Sequence, residues 1–174
     1  LLTNYMLSQR KEKGILPANG AVVKTIVTTE MIRPIAAEYG VKLFDVLTGF
    51  KYIGEKIKQF EETGDYTFVF GFEESYGCLS GTYARDKDAV VASMLVAELT
   101  AFYKNQGKTL YDGLIELYEK YGYYREGITS ITLKGIEGVE KIKYIMDTLR
   151  KNPPKDFIGN NVMWLRDYTK NEFT

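Results

Sequence analysis

Gly71-Phe72-Glu73-Glu74-Ser75-Tyr76-Gly77-Cys78-Leu79-Ser80-Gly81-Thr82-Tyr83-Ala84-Arg85-Asp86-Lys87-Asp88 is the stretch on which the reading of this chain turns. A β-like run, Tyr66-Thr67-Phe68-Val69-Phe70, leads into it, and a long apolar helix, from about Ala89 to Asn105, leads out. In an open α/β sheet, ligands bind beyond the carboxyl ends of the strands. Carboxylates accept hydrogen bonds from hydroxyl groups, and Glu73 and Ser75, two apart, share a face of an extended segment. Lys87 stands just before a helix start, where free N–H groups already favour anions. Together these residues suit a ligand with hydroxyls at one end and phosphate at the other. A solvated surface loop followed by a capped helix fits the same composition.

Outward from that stretch, the chain alternates strands and helices. Leu1 to Lys13 has apolar residues at three- and four-residue spacing, ended by Gly14. Ala21-Val22-Val23-Lys24-Thr25-Ile26-Val27 is β-branched and apolar, as in a strand covered on both faces. Thr28 or Thr29 can cap a helix from Glu30 to Tyr39, and Pro34 falls near its first turn, where a missing N–H is harmless. Val41 to Leu47 is a second strand, Thr48-Gly49-Phe50-Lys51 a strand-to-helix turn, and Tyr52 to Glu62 an amphipathic helix. Tyr66 to Phe70 is the third strand. This alternation predicts a mostly parallel sheet with helices on both faces.

Beyond the central stretch, Ala89 to Tyr103 is apolar almost all round, the pattern of a buried helix. Thr109 to Lys120 is a further helix. Tyr121-Gly122-Tyr123-Tyr124 reads as packing beside an edge strand, Ile128 to Leu133 as a fourth strand, and Ile136 to Leu149 as a helix. Asn152-Pro153-Pro154 marks a boundary. The expected organisation is an α/β domain over residues 1–152, then a linker and the opening of a further domain over 153–174.

Composition excludes several classes. Lysine plus arginine equals aspartate plus glutamate, 23 each, which leaves no basic footprint for nucleic acid. No apolar run is long enough for a membrane span. Cys78 is the single cysteine and histidine is absent, so intrachain disulfides, histidine bases and imidazole zinc sites are excluded. The thiol content fits a reducing compartment, and a cytoplasmic location is expected.

Glu73-Glu74-Ser75-Tyr76-Gly77 followed by Arg85-Asp86-Lys87-Asp88 resembles the sugar-binding loop of the phosphoglucomutase/phosphomannomutase family, the α-D-phosphohexomutases. Leu47-Thr48-Gly49-Phe50-Lys51-Tyr52-Ile53-Gly54 resembles the upstream Thr-Gly-aromatic-Lys segment of the same family. Phe72, placed before the glutamates, is similar to the bacterial phosphoglucomutase branch. The resemblance implies a three-layer α/β/α domain with a mixed, mostly parallel four-stranded sheet. It implies the third of four domains around a cleft, the one that binds sugar hydroxyls. In such enzymes a phosphoserine in the first domain transfers phosphoryl to and from a hexose phosphate, through glucose 1,6-bisphosphate, with magnesium held by the second.

Carried over by position, Glu73 and Ser75 would bind sugar hydroxyls and Lys87 a phosphate or sugar oxygen. Thr48 and Gly49 would line the cleft. Lys51 and Arg85 are secondary candidates: Lys51 reads equally as a solvated lysine, and Arg85 as a partner of Asp86 or Glu74. Glu74 is expected to be structural, pointing away from its neighbours. The family's phosphoserine loop, its Asp-Gly-Asp metal loop and its C-terminal phosphate loop do not occur here. The expectation is therefore a sugar-phosphate-binding domain of an isomerase, inactive alone, with no catalytic or metal-binding residue and no bound cofactor of its own. Its expected partners are hexose phosphate and the other domains of a parent chain. The alternative is a stand-alone sugar-phosphate-binding or interaction module.

Overall fold

A computed structural model describes residues 1–127, 130 and 132–168, and the backbone of 172–173. The chain forms two compact units, 1–127 and 128–174.

The first unit is built on one four-stranded sheet. Its strands are β1 (Gly20–Thr25), β2 (Lys42–Val46), β3 (Thr67–Phe72) and β4 (Cys78–Ser80), in the order β2-β1-β3-β4. β1 pairs parallel with β2 and with β3, and β3 pairs antiparallel with β4. Every residue of β1 is buried, as its β-branched composition demands of a central strand covered on both sides. Five helices flank the sheet: α1 (Leu2–Glu12), α2 (Ile32–Glu38), α3 (Phe50–Thr63), α4 (Ala89–Asn105) and α5 (Leu110–Tyr121). One core joins Val22, Val69 and Phe70 to Leu7, Ile35, Leu95 and Leu117 of α1, α2, α4 and α5. The other joins Ala21, Val23 and Phe68 to Ile53, Ile57 and Phe60 of α3. The result is the three-layer α/β/α arrangement with a mixed sheet.

Three expectations need correction. The fourth strand is Cys78–Ser80, inside the central stretch, so the loop after β3 is the turn of a β-hairpin rather than a strand-to-helix connection. The expected strand at 128–133 falls partly outside the described residues, and the described positions there, Ser130, Thr132 and Leu133, carry no strand. Helix α4 has the expected bounds but is not buried. Leu95, Leu99 and Tyr103, four apart, face the core, while Val90 is 79% and Met94 60% exposed. An apolar helix laid on one side of a sheet has neighbours for one stripe only.

The second unit contains α6 (Gly135–Lys151) and two antiparallel ribbons, β5 (Asp156–Phe157) with β6 (Asn160–Asn161), and β7 (Arg166–Asp167) with β8 (Glu172–Phe173). Arg150 Nε donates to Asp167 Oδ2 at 2.8 Å, tying α6 to β7. Among the described residues, the two strands of each ribbon pair with one another, and α6 falls within the same unit. No described helix is long and apolar enough to cross a membrane.

Candidate functional site

Because β1, β2 and β3 run parallel, the turns that follow them all emerge at one end of the sheet. These turns are 26–31, 47–49 and 73–77. Thr48 and Gly49 follow the outer strand β2, two strand spacings, or about 10 Å, across the sheet from β3. Thr48 is exposed, and Gly49 takes a φ of 123°, a backbone region that favours glycine, as it starts α3. Lys51 is exposed in the first turn of α3, with its ammonium 4.8 Å from the centroid of the Tyr52 ring.

The hairpin turn is closed by the Glu73 N–H, which donates to the Gly77 carbonyl at 2.8 Å. This closure breaks the extended geometry on which the shared-face expectation for Glu73 and Ser75 rested. Glu73 is 8% exposed, whereas Ser75 is exposed and Tyr76, at a positive φ of 66°, is 98% exposed. The Glu73 carboxylate lies 4.0 Å from Lys87 Nζ, a loose ion pair. Gly77 is packed between them: a β-carbon there would stand 3.2 Å from Glu73 Oε2 and 3.0 Å from Lys87 Cδ. Glu73, Tyr76 and Gly77 also border a largely apolar recess of about 320 Å³ backed by Phe70, Phe72 and Cys78. Burial pushes the Cys78 thiol up, with Asp88 adding to the effect, as in an inert buried cysteine.

Glu74 turns the other way. Its Oε2 accepts a hydrogen bond from Thr25 Oγ1, at 2.8 Å. Adjacent glutamates of one turn therefore serve two directions, one toward Lys87 and one toward the end of β1.

The Arg85–Asp88 segment is fixed by local bonds. The Asp88 N–H donates to the Cys78 carbonyl at 2.9 Å, holding the segment against β4. The Asp88 carboxylate caps α4, accepting from the N–H groups of Val90 (2.8 Å) and Val91 (3.1 Å) and from the Tyr83 hydroxyl (2.7 Å). The Tyr83 bond, then the Val91 N–H, hold this carboxyl below its ordinary range. An anion site at the start of α4 is thus pre-empted by Asp88, contrary to the expectation from free helix N–H groups. Arg85 pairs with neither Asp86 nor Glu74. Its guanidinium bonds Glu61 of α3 and the carbonyl of Thr82 (2.8 Å), while its own carbonyl lies against Gly54. Arg85 is a clamp between loop and helix. Lys87 Nζ is half-exposed, 3.8 Å from Asp86 Oδ1.

A charged cluster beneath the turns escaped the sequence reading. Lys24, in the central strand, is 0% exposed. Its ammonium donates to the carbonyls of Thr25 (3.2 Å) and Thr28 (3.1 Å) and to Glu30 Oε1 (3.1 Å), and pairs with Asp45 Oδ1 at 3.0 Å. Arg33 bonds both carboxylates, at 2.9 Å to Glu30 and 2.7 Å to Asp45. Burial pushes both carboxyls up, but the Arg33 and Lys24 hydrogen bonds outweigh it and hold them below the usual carboxylate range. The available signal was the lysine itself: a charge in the middle of an apolar two-sided strand requires partners. Asp45, its register neighbour on β2, was one.

Among the described residues, no three His, Cys, Asp or Glu side chains converge where a metal ion could be held.

Comparison with known proteins accords with this architecture. Residues 1–121 match the family described as phosphoglucomutase/phosphomannomutase, alpha/beta/alpha domain III. The phosphoglucomutase of Staphylococcus haemolyticus (strain JCSC1435) is 37% identical over 168 residues, 97% of this chain and 30% of the relative. That of Staphylococcus aureus (strain N315) is 37% identical over 172 residues, 99% of this chain and again 30% of the relative. The chain thus spans about 30% of the length of these curated relatives. In fold it is similar to the crystal structure of a candidate phosphomannomutase from Thermus thermophilus, with a TM-score of 0.55 at 24% identity, covering 77% of this chain and 29% of that one. On its sheet order, its hairpin turn and these matches, the chain belongs to the phosphoglucomutase/phosphomannomutase family, with residues 1–121 forming its α/β/α domain III.

Proposed function

We propose that this chain is the sugar-binding wall of a phosphoglucomutase that interconverts hexose 1-phosphate and hexose 6-phosphate. In this reading the Glu73 carboxylate and the Ser75 hydroxyl hold hydroxyl groups of the sugar, and Lys87 neutralises a phosphate or a ring-side oxygen. Thr48 and Gly49 line the far side of the ligand, across β1. Lys51 is a further candidate, whereas Arg85 and Glu74 have their own partners and serve the framework.

The observation that carries the reading is the loose Glu73–Lys87 pair. At 4.0 Å the carboxylate and ammonium balance each other's charge without a tight hydrogen bond, so both retain capacity for a ligand. Glu73 is largely shielded from water, and a carboxylate that accepts hydroxyl protons there contributes about 1.5–3 kcal/mol per bond. Phosphoryl transfer depends on positioning and charge stabilisation around the moving group. The groups on this chain position a sugar. In this reading magnesium and the phosphorylated serine of such an enzyme lie on other parts of a longer polypeptide. The exposed apolar stripe of α4 fits a domain that packs against such parts in the cytoplasm.

The test uses the complete polypeptide that carries this domain, with glucose 1-phosphate as substrate. Glu73→Ala and Lys87→Ala are each expected to lower kcat/KM at least tenfold, about 1.4 kcal/mol. Unchanged kinetics in either would refute the assignment. Titration of the present chain alone with glucose 1,6-bisphosphate separates the alternatives, since micromolar affinity would favour a self-sufficient binding module.

A further inference from the structure

Thr25 is entirely buried at the last position of β1, and its hydroxyl is engaged twice. It lies 2.8 Å from Glu74 Oε2 and 2.7 Å from Thr28 Oγ1. A hydroxyl has one proton, and the ionised carboxylate of Glu74 can only accept. The proton of Thr25 therefore goes to Glu74, and Thr28 must donate to Thr25. The direction of the relay is fixed: Thr28 to Thr25 to Glu74.

The base of this relay is rigid. The Thr28 N–H donates to the Thr25 carbonyl at 3.1 Å, closing a turn, and the Lys24 ammonium grips the carbonyls at both ends of that turn. Glu30 and Asp45 neutralise Lys24 from the α2 side and from β2. Glu74 thus hangs from a turn fixed at the central strand, and its neighbours in the hairpin turn are Glu73 and Ser75.

We propose that Thr25, seated on the Lys24 clamp, is a positioning residue: through Glu74 it sets the orientation in which the 73–77 turn presents Glu73 and Ser75 to a sugar. The proposal rests on the site reading given above. It assigns the second glutamate of the turn a purpose that needs no ligand contact. It also explains why a buried lysine is tolerated near the end of the apolar central strand, since the turn it holds has two carbonyls to satisfy.

The experiment is steady-state kinetics on the complete polypeptide with glucose 1-phosphate, for Thr25→Val, Thr25→Ser, Glu74→Ala and the Thr25→Val/Glu74→Ala double variant, with Glu73→Ala as reference. Valine keeps the shape and removes the relay, so kcat/KM is expected to fall about tenfold. Serine keeps the hydroxyl and is expected to stay within threefold of the parent. Because both residues act through one bond, the double variant is expected within twofold of Thr25→Val. Serine as poor as valine, valine as good as the parent, or two losses that multiply to about a hundredfold would each overturn the proposal. Should Thr25→Val fail to fold, the exposed Glu74→Ala carries the test, and parent-like turnover there overturns it. A large loss in Glu73→Ala beside an intact Thr25→Val defeats the positioning alone. An intact Glu73→Ala defeats the site reading itself.

Discussion

Gly54 lies in the buried face of α3 and is not itself proposed to touch sugar, and yet Gly54→Ala should reach the site. A β-carbon there would stand 2.8 Å from the Arg85 carbonyl oxygen, short by 0.6 Å of the 3.4 Å at which ordinary contact begins. The obstacle is backbone, which cannot swing aside like a side-chain tip. Arg85 is also tied to Glu61 and to the Thr82 carbonyl, so the whole 82–88 segment must retreat. Replacing a helical glycine by alanine gains about 1 kcal/mol of propensity. Overpacking costs about 1–3 kcal/mol. The net is a loss of about 0–2 kcal/mol, or up to about 8 °C in Tm for a chain of this size. Lys87, two residues beyond Arg85, moves with the segment. A 1 Å misplacement can cost about a hundredfold in rate, so a retreat of roughly half that size should lower kcat/KM about tenfold. Thermal melts of the present chain give the first quantity, and glucose 6-phosphate formation by the complete polypeptide gives the second. A raised Tm with unchanged turnover would refute the reasoning at both steps, and a lowered Tm with intact turnover would refute the link from Arg85 to Lys87.

Two further outcomes are expected. Asp45 and Glu30 are held below their ordinary carboxyl range in the fold, so their contribution to stability is complete above the unfolded carboxylate range. It is lost as pH falls from about 5 toward 2. Asp45→Asn, which leaves Lys24 and Arg33 each short of a partner, should cost at most about 3–5 kcal/mol near pH 7. Its deficit relative to the parent in urea melts should shrink on acidification, and a constant deficit between pH 6 and pH 3 contradicts the pairing. Val90 and Met94 make an exposed apolar stripe on α4. Val90→Asp with Met94→Asp should reduce self-association of the chain in light scattering and leave Tm unchanged; a drop of several degrees would mean that the stripe is packed after all.

The parallel strands and the helices flanking them were legible because each carries a local pattern. The apolar and β-branched run through Ala21, Val22, Val23 and Thr25 makes β1, and Ile53, Ile57 and Phe60 at helical spacing make α3. Gly71 to Asp88 stood out as a chemically distinctive connection because carboxylates, a hydroxyl and a lysine cluster there between a strand and a helix. The hairpin was not, since Cys78–Ser80 is three residues long and pairs only by lying back against β3. The exposure of α4 was also hidden: composition reports that a helix is apolar but not how many sides find a neighbour.

Local sequence alone determined the three parallel strands, helices α1 to α5 and the chemical character of the turn, because propensity and periodicity act over a few residues. Only the tertiary structure decided which way each glutamate faces. Glu73 meets Lys87 from fourteen positions downstream, and Glu74 meets Thr25 from forty-nine upstream. Such partners are set by sheet order, and sheet order is fixed by long-range burial rather than by any single stretch of chain.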